Sequence, residues 1–157
     1  MQLAAALAHR ADLTTRRDVL LERAARSALV QEGSTPTDDV AALLAEHARV
    51  ADQLETLVTQ INLTNTLVTV GERTMTAALA HRESLRARHQ ALLRVANAAT
   101  PTGDRMRAQE LRLLPAVDPR ALHEQAEAVA KELRELDLAI QEVNWTTTLI
   151  EAKDVEH

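Results

Sequence analysis

Six histidines are the residues in this sequence best suited to chemistry, and metal ligation is the chemistry they suggest. A di-iron or related centre in a helical bundle needs Glu-x-x-His, because residues three apart lie on one inward face. No histidine here has a glutamate three residues before it. His123 and Glu127 stand one helical turn apart, which suits a solvated contact between side chains four residues apart. His47 falls on an apolar stripe and reads as a hydrogen-bonded core or interface histidine. There are no cysteines, so neither thiolate chemistry nor a disulfide framework is available. The three glycines are isolated, so no phosphate loop is present, and no nucleophile elbow surrounds a serine. The expectation is a protein that is not an enzyme and uses no metal or cofactor.

A second set of polar residues is written twice. Asn62, Thr64, Asn65 and Thr66 lead into Leu67-Val68, and Asn144, Trp145, Thr146 and Thr148 lead into Leu149-Ile150. Asn and Thr side chains bond locally to backbone and shape helix exits. If the two copies meet, they could instead line a polar pocket. Trp145 is the only aromatic residue in the chain and reads as an interface or end-cap anchor. Both strings fit the N-glycosylation pattern, which means little without a secretory signal.

The elements that carry these residues are helices. The chain is rich in Ala, Leu and Arg, poor in Gly, and lacks Phe and Tyr, a composition that favours long helices over sheets. Apolar spacing of three and four predicts a helix over 3–30, with Arg10 and Arg17 in its stripe. Gly33 and Pro36 end it, Gly33 as the residue after the cap. Residues 40–61 hold a heptad spacing and form the second helix, capped by Thr37 or Asp38. Residues 74–99 form the third, with Arg82 and His89 in its stripe, and Asp118-Pro119 opens the fourth. Residues 66–70 have strand propensity, and pairing them with 105–117 gives a short two-stranded β ribbon. The fold class is all-α: four long, coiled-coil-like helices in two tandem antiparallel hairpins, within one domain spanning 1–157.

The two hairpins repeat, over 3–68 and 75–150. Ala6-Leu7-Ala8-His9-Arg10 recurs as Ala78-Leu79-Ala80-His81-Arg82, an offset of 72. Asp39, Ala42 and Leu43 match Asp118, Ala121 and Leu122 at 79, and the Asn-x-Thr strings match at 82. Charge alternates as well. Residues 1–30 carry five bases against three acids, 31–72 one against seven, 73–112 eight against three, and 113–157 four against ten. Neighbouring helices of opposite sign fit this better than one basic nucleic-acid-binding face does. Arg10, Arg17, His47, Arg82 and His89 are therefore expected to form a buried polar seam. Arg10 and Arg82 should reach acids of the second or fourth helix, with Glu46, Glu55, Glu132 and Glu135 the candidates.

The order Ala-Leu-x-x-Arg-x-x-Leu, then Val30-Gln31-Glu32-Gly33, then Ile61-Asn62-Leu63-Thr64-Asn65 resembles the septicolysin-like family of bacterial proteins. The closing Glu132-Leu133-Arg134-Glu135-Leu136-Asp137, Ile140-Gln141 and Asn144-Trp145-Thr146 do so too. The likeness covers nearly the whole chain except 105–117, where that family is more strand-like. It implies no established activity, although the family name hints at membrane action. No apolar run reaches the roughly 18 residues of a membrane span, and His9 and Arg10 interrupt any signal-like start. The leading expectation is a soluble, cytoplasmic structural or interaction protein that forms a homo-oligomer. A metal- or small-ligand-binding bundle is the first alternative, and a membrane-active protein the second.

Overall fold

The computed structural model describes residues 1–100 and 114–150. Its order is α1 (Leu3–Arg26), α2 (Val40–Leu67), β1 (Thr69–Val70), β2 (Arg73–Thr74), α3 (Met75–Ala99) and α4 (Pro119–Thr146). The helices hold 77% of the described residues, so the all-α expectation stands.

α1 stops earlier than its composition suggests. The Ser27 amide bonds the Arg23 carbonyl at 3.1 Å and closes the last turn. Gly33, with φ +84°, serves a turn in the connection rather than the helix end. α2 is capped by Asp39, one residue later than expected, whose carboxylate accepts from the Ala42 amide at 3.1 Å. Asp38 is left to take Arg23 at 2.6 Å. α2 then continues through Asn62–Asn65 to Leu67, because Thr64 and Thr66 turn their hydroxyls onto backbone carbonyls and stay helical.

β1 pairs with β2. Gly71, at φ +60°, supplies a left-handed residue for the two-residue turn, conformational freedom no β-branched neighbour offers. Of the segment expected to pair with β1, 105–117, residues 105–113 lie outside the described residues. Thr74 both ends β2 and caps α3, accepting from the Ala77 amide at 3.2 Å. At α4, Asp118 accepts from the Arg120 amide at 2.9 Å, and Pro119 occupies the first helical position.

Two compact units arise. The first comprises Met1–Thr69 with Gln141–His157, and the second Val70–Ile140. In the first, Leu3, Ala6, Leu13, Leu20 and Ala24 of α1 are buried together with Leu43, Val50, Leu57 and Ile61 of α2. In the second, Met75, Ala78, Leu85 and Ala96 of α3 are buried with Ala126, Val129 and Ile140 of α4. Each buried Leu or Ile contributes roughly 1.5–3 kcal/mol.

The hairpins are equivalent residue by residue, in a register that corrects the sequence alignment. Along the first helix of each, the offset of 72 pairs buried Leu3 with Met75, Ala6 with Ala78, Leu13 with Leu85 and Ala24 with Ala96. Along the second, 79 holds from end to end. It pairs cap Asp39 with Asp118, Val50 with Val129, Ile61 with Ile140 and the last residues Leu67 with Thr146. The closing bonds obey it too: Val68 N–H to Thr64 C=O and Thr147 N–H to Val143 C=O, both 2.9 Å. The match of Asn62 with Asn144 at 82 is therefore three residues out of register. Asn65 is the true counterpart of Asn144.

Candidate functional site

The polar string at the end of α4 and the one at the end of α2 meet in the first unit. Thr64 is fully buried, and its Oγ1 donates to the Gln60 carbonyl at 2.8 Å while accepting from the Ile150 amide at 2.9 Å. Both functions of that hydroxyl are occupied, so it is a structural anchor and not a nucleophile. The same short segment is tied to the start of α1. The Leu3 amide donates to Thr147 C=O and the Leu149 amide to Met1 C=O, each at 2.8 Å. Gln2 and Thr148 form an antiparallel bridge between these two bonds. Leu149 is buried beneath it.

The remaining members of the string divide. Asn144 is buried, Asn65 is half-buried and engaged, and Asn62 is exposed on the outside of α2. The Thr146 hydroxyl returns to the Glu142 carbonyl at 2.8 Å, a local helix-end bond. Trp145 is 68% exposed. What the structure assembles is a docking point for residues 147–150. Of the repeated residues, Thr64 holds it directly.

The buried polar seam is corrected. Arg10 is exposed and Arg17 half-buried, the latter turned to its neighbour Asp18 at 2.8 Å. His47 and His89 are half-buried. Arg82 is also half-buried, 3.3 Å from Glu83 and 3.7 Å from Asp137 of α4. Arg86 adds a second contact to Asp137 at 3.8 Å, and His81 Nε2 lies 3.2 Å from Glu132. The α4 acid beside Arg82 is Asp137 and none of the expected glutamates. The register supplies the reason for the difference between hairpins: Asp137 corresponds to Val58 and Glu132 to Gln53. Arg10 therefore meets no carboxylate at the equivalent place on α2, and it is exposed. Glu46 pairs instead with Arg16, and Glu135 with Lys131. Arg23 holds the Asp38 carboxyl below the usual carboxylate range, chiefly by hydrogen bonding and then by charge. His123 is exposed, and the nearby helical pair is Arg120 with Glu124 at 3.4 Å.

Among the described residues no group of three His, Asp or Glu side chains could hold a metal ion. Among them, too, no helix is long and apolar enough to cross a membrane.

Comparisons with known proteins agree on architecture and are silent on activity. The chain is similar, at 32% identity and a TM-score of 0.89, to the crystal structure of a functionally unknown conserved protein from Corynebacterium diphtheriae. The likeness covers 96% of this chain and 99% of that one. Nothing among curated proteins matches. A family described as "Family of unknown function (DUF6847)" matches residues 10–149. The match spans most of the two hairpins, and the chain belongs to that family.

Proposed function

We propose that this protein acts through its surface, as a cytoplasmic structural or interaction protein that associates with copies of itself, and not as an enzyme. The observation that carries the reading is Trp145. It is the sole aromatic residue of the chain, and it stands 68% exposed on α4. Aromatic side chains are enriched where surfaces meet, because one residue covers a large area at low entropic cost. Covering the exposed part contributes on the order of 2 kcal/mol. Leu21, Leu44 and Leu67 of the same unit are also about half exposed, at 52%, 49% and 54%. The septicolysin-like resemblance adds no activity to this reading.

The test uses the fluorescence that Trp145 alone provides. Light scattering between about 1 and 100 µM should show a mass of at least two chains at the upper end. Acrylamide quenching of the tryptophan should weaken over the same range. A single-chain mass throughout, with quenching unchanged, overturns the proposal.

A further inference from the structure

We infer that residues 147–150 form an exchangeable strand, which leaves its own α1 and docks on the equivalent place of a second copy. The inference rests on the self-association proposed above and names its means.

The argument starts from the two helix exits. After α2, the chain enters β1, turns at Gly71-Glu72 and pairs with β2, which leads directly into α3. After α4, residues 147–149 pair with Met1, Gln2 and Leu3, which lead directly into α1. The 72 and 79 registers make these exits counterparts: Val68–Val70 corresponds to 147–149, and Arg73–Met75 to 1–3. One difference separates them. The first pairing is joined by a two-residue turn, so its strands stay covalently tethered side by side. The second joins residues 146 positions apart (Gln2 and Thr148) by hydrogen bonds alone.

The slot that receives the segment comprises the Met1 carbonyl, the Leu3 amide and Thr64 Oγ1, three groups fixed by α1 and α2. Its contents in cis are the Leu149 side chain, 8% exposed, and three backbone groups. A second copy carries the same segment, so an exchanged segment restores every one of these contacts. The lead into the segment is suited to bending. Asn144, Trp145, Thr146 and Thr147 have weak helix propensity, and Trp145 and Thr146 are exposed. Straightening after the buried Asn144 releases the Thr146 hydroxyl from Glu142 and the Thr147 amide from Val143, and bringing two copies together gives Trp145 a surface to cover.

The experiment is a pair of cysteines in a chain that otherwise has none. Gln2 and Thr148 are exposed and lie opposite each other between the two flanking ladder bonds. That is a non-hydrogen-bonded antiparallel pair, whose Cα atoms stand about 4.5 Å apart, within disulfide range. Gln2→Cys/Thr148→Cys should be oxidised at about 1 µM, where the cis bond forms, and separately at about 100 µM. Exchange predicts disulfide-linked dimers on a non-reducing gel from the concentrated sample. It also predicts that the cis-locked protein stays a single chain when concentrated, while unmodified protein associates. If the concentrated sample gives only intramolecular disulfides, or the cis-locked protein associates as the unmodified one does, exchange is overturned and self-association stands. If the unmodified protein is a single chain at about 100 µM, both readings fall.

Discussion

Thr64→Val removes a side-chain bond that ties the two repeated strings together. Valine keeps the shape and one methyl and removes the hydroxyl. The Gln60 carbonyl loses a secondary partner but remains at a helical position where the main chain can serve it. The Ile150 amide, in contrast, loses the acceptor 2.9 Å away. A half-buried N–H without a partner costs about 1–3 kcal/mol, and the added apolar group of valine offsets part of this. The net local loss is about 1–2 kcal/mol, a factor of roughly 5–30 in the population of the undocked segment.

Global unfolding is a blunt instrument for this, because Thr64→Ser removes a buried methyl and loses a similar amount, roughly 1 kcal/mol. Amide hydrogen exchange separates the two. The Val variant should release the Ile150 and Leu149 amides roughly 5–30 times faster, since docking and opening of a local segment set their protection. The Ser variant keeps the acceptor and should leave those amides within about twofold of the parent. If Thr64→Val protein remains folded with Ile150 exchange unchanged, the hydroxyl is not what holds the segment, and the anchoring argument is wrong.

Three further outcomes can be measured together. Asp38 has a folded pKa below its unfolded value, so its pairing with Arg23 stabilises above the ordinary carboxylate range and is lost as the pH falls through the lowered value. In an acid titration Asp38→Asn should therefore be less stable than the parent near neutrality, and the gap should close only as the pH falls from about 4 through the lowered value. Arg82→Ala should lose up to about 1 kcal/mol more than Arg10→Ala in urea, because only Arg82 has acids within reach; equal losses would remove the distinction drawn between the hairpins. His47→Leu should keep or raise the urea midpoint, since a half-buried imidazole on an apolar stripe gains little unless a specific partner holds it.

The hairpins were legible because heptad spacing survives in the sequence as a physical requirement of burial. Leu43, Val50 and Leu57 must recur every seven residues if α2 is to keep one face inward. Helix ends were less legible, since competing caps lie side by side. Asp38 and Asp39 are equally good on propensity, and only Arg23, fifteen residues away, decides which one is free to cap. The Asn-x-Thr strings misled for a related reason. Local identity at 82 was compelling, but equivalence is set by which residues face the core, and Ile61 with Ile140 fixes 79. The anchoring role of Thr64 depends on a backbone amide 86 residues away, which no local pattern encodes. Trp145 could be singled out by type alone; that it stands outside could not.

The contrast between Arg10 and Arg82 leads to a last test of the register itself. If Val58 is the counterpart of Asp137, then Val58→Asp should give Arg10 the carboxylate that α2 lacks. Val58 is half-buried, so replacing it with a charge costs on its own, about 1–2 kcal/mol from lost apolar contact and partial desolvation. The single variant is therefore expected to be less stable than the parent, and its stability alone decides nothing. A double-mutant cycle with Arg10→Ala removes that background. The coupling between Arg10 and the new aspartate should be favourable by about 0.5–1 kcal/mol, the range of a partly exposed pair, and should shrink when salt is raised to about 1 M. Val58→Asn in the same cycle should show no such coupling, since it supplies polarity without charge. The 82 register makes a different assignment: it pairs Asp137 with Glu55, an acid already present, and predicts that aspartate at 58 couples with nothing on α1. A coupling of zero at low salt would therefore count against the 79 register, and with it against the equivalence of the two helix exits.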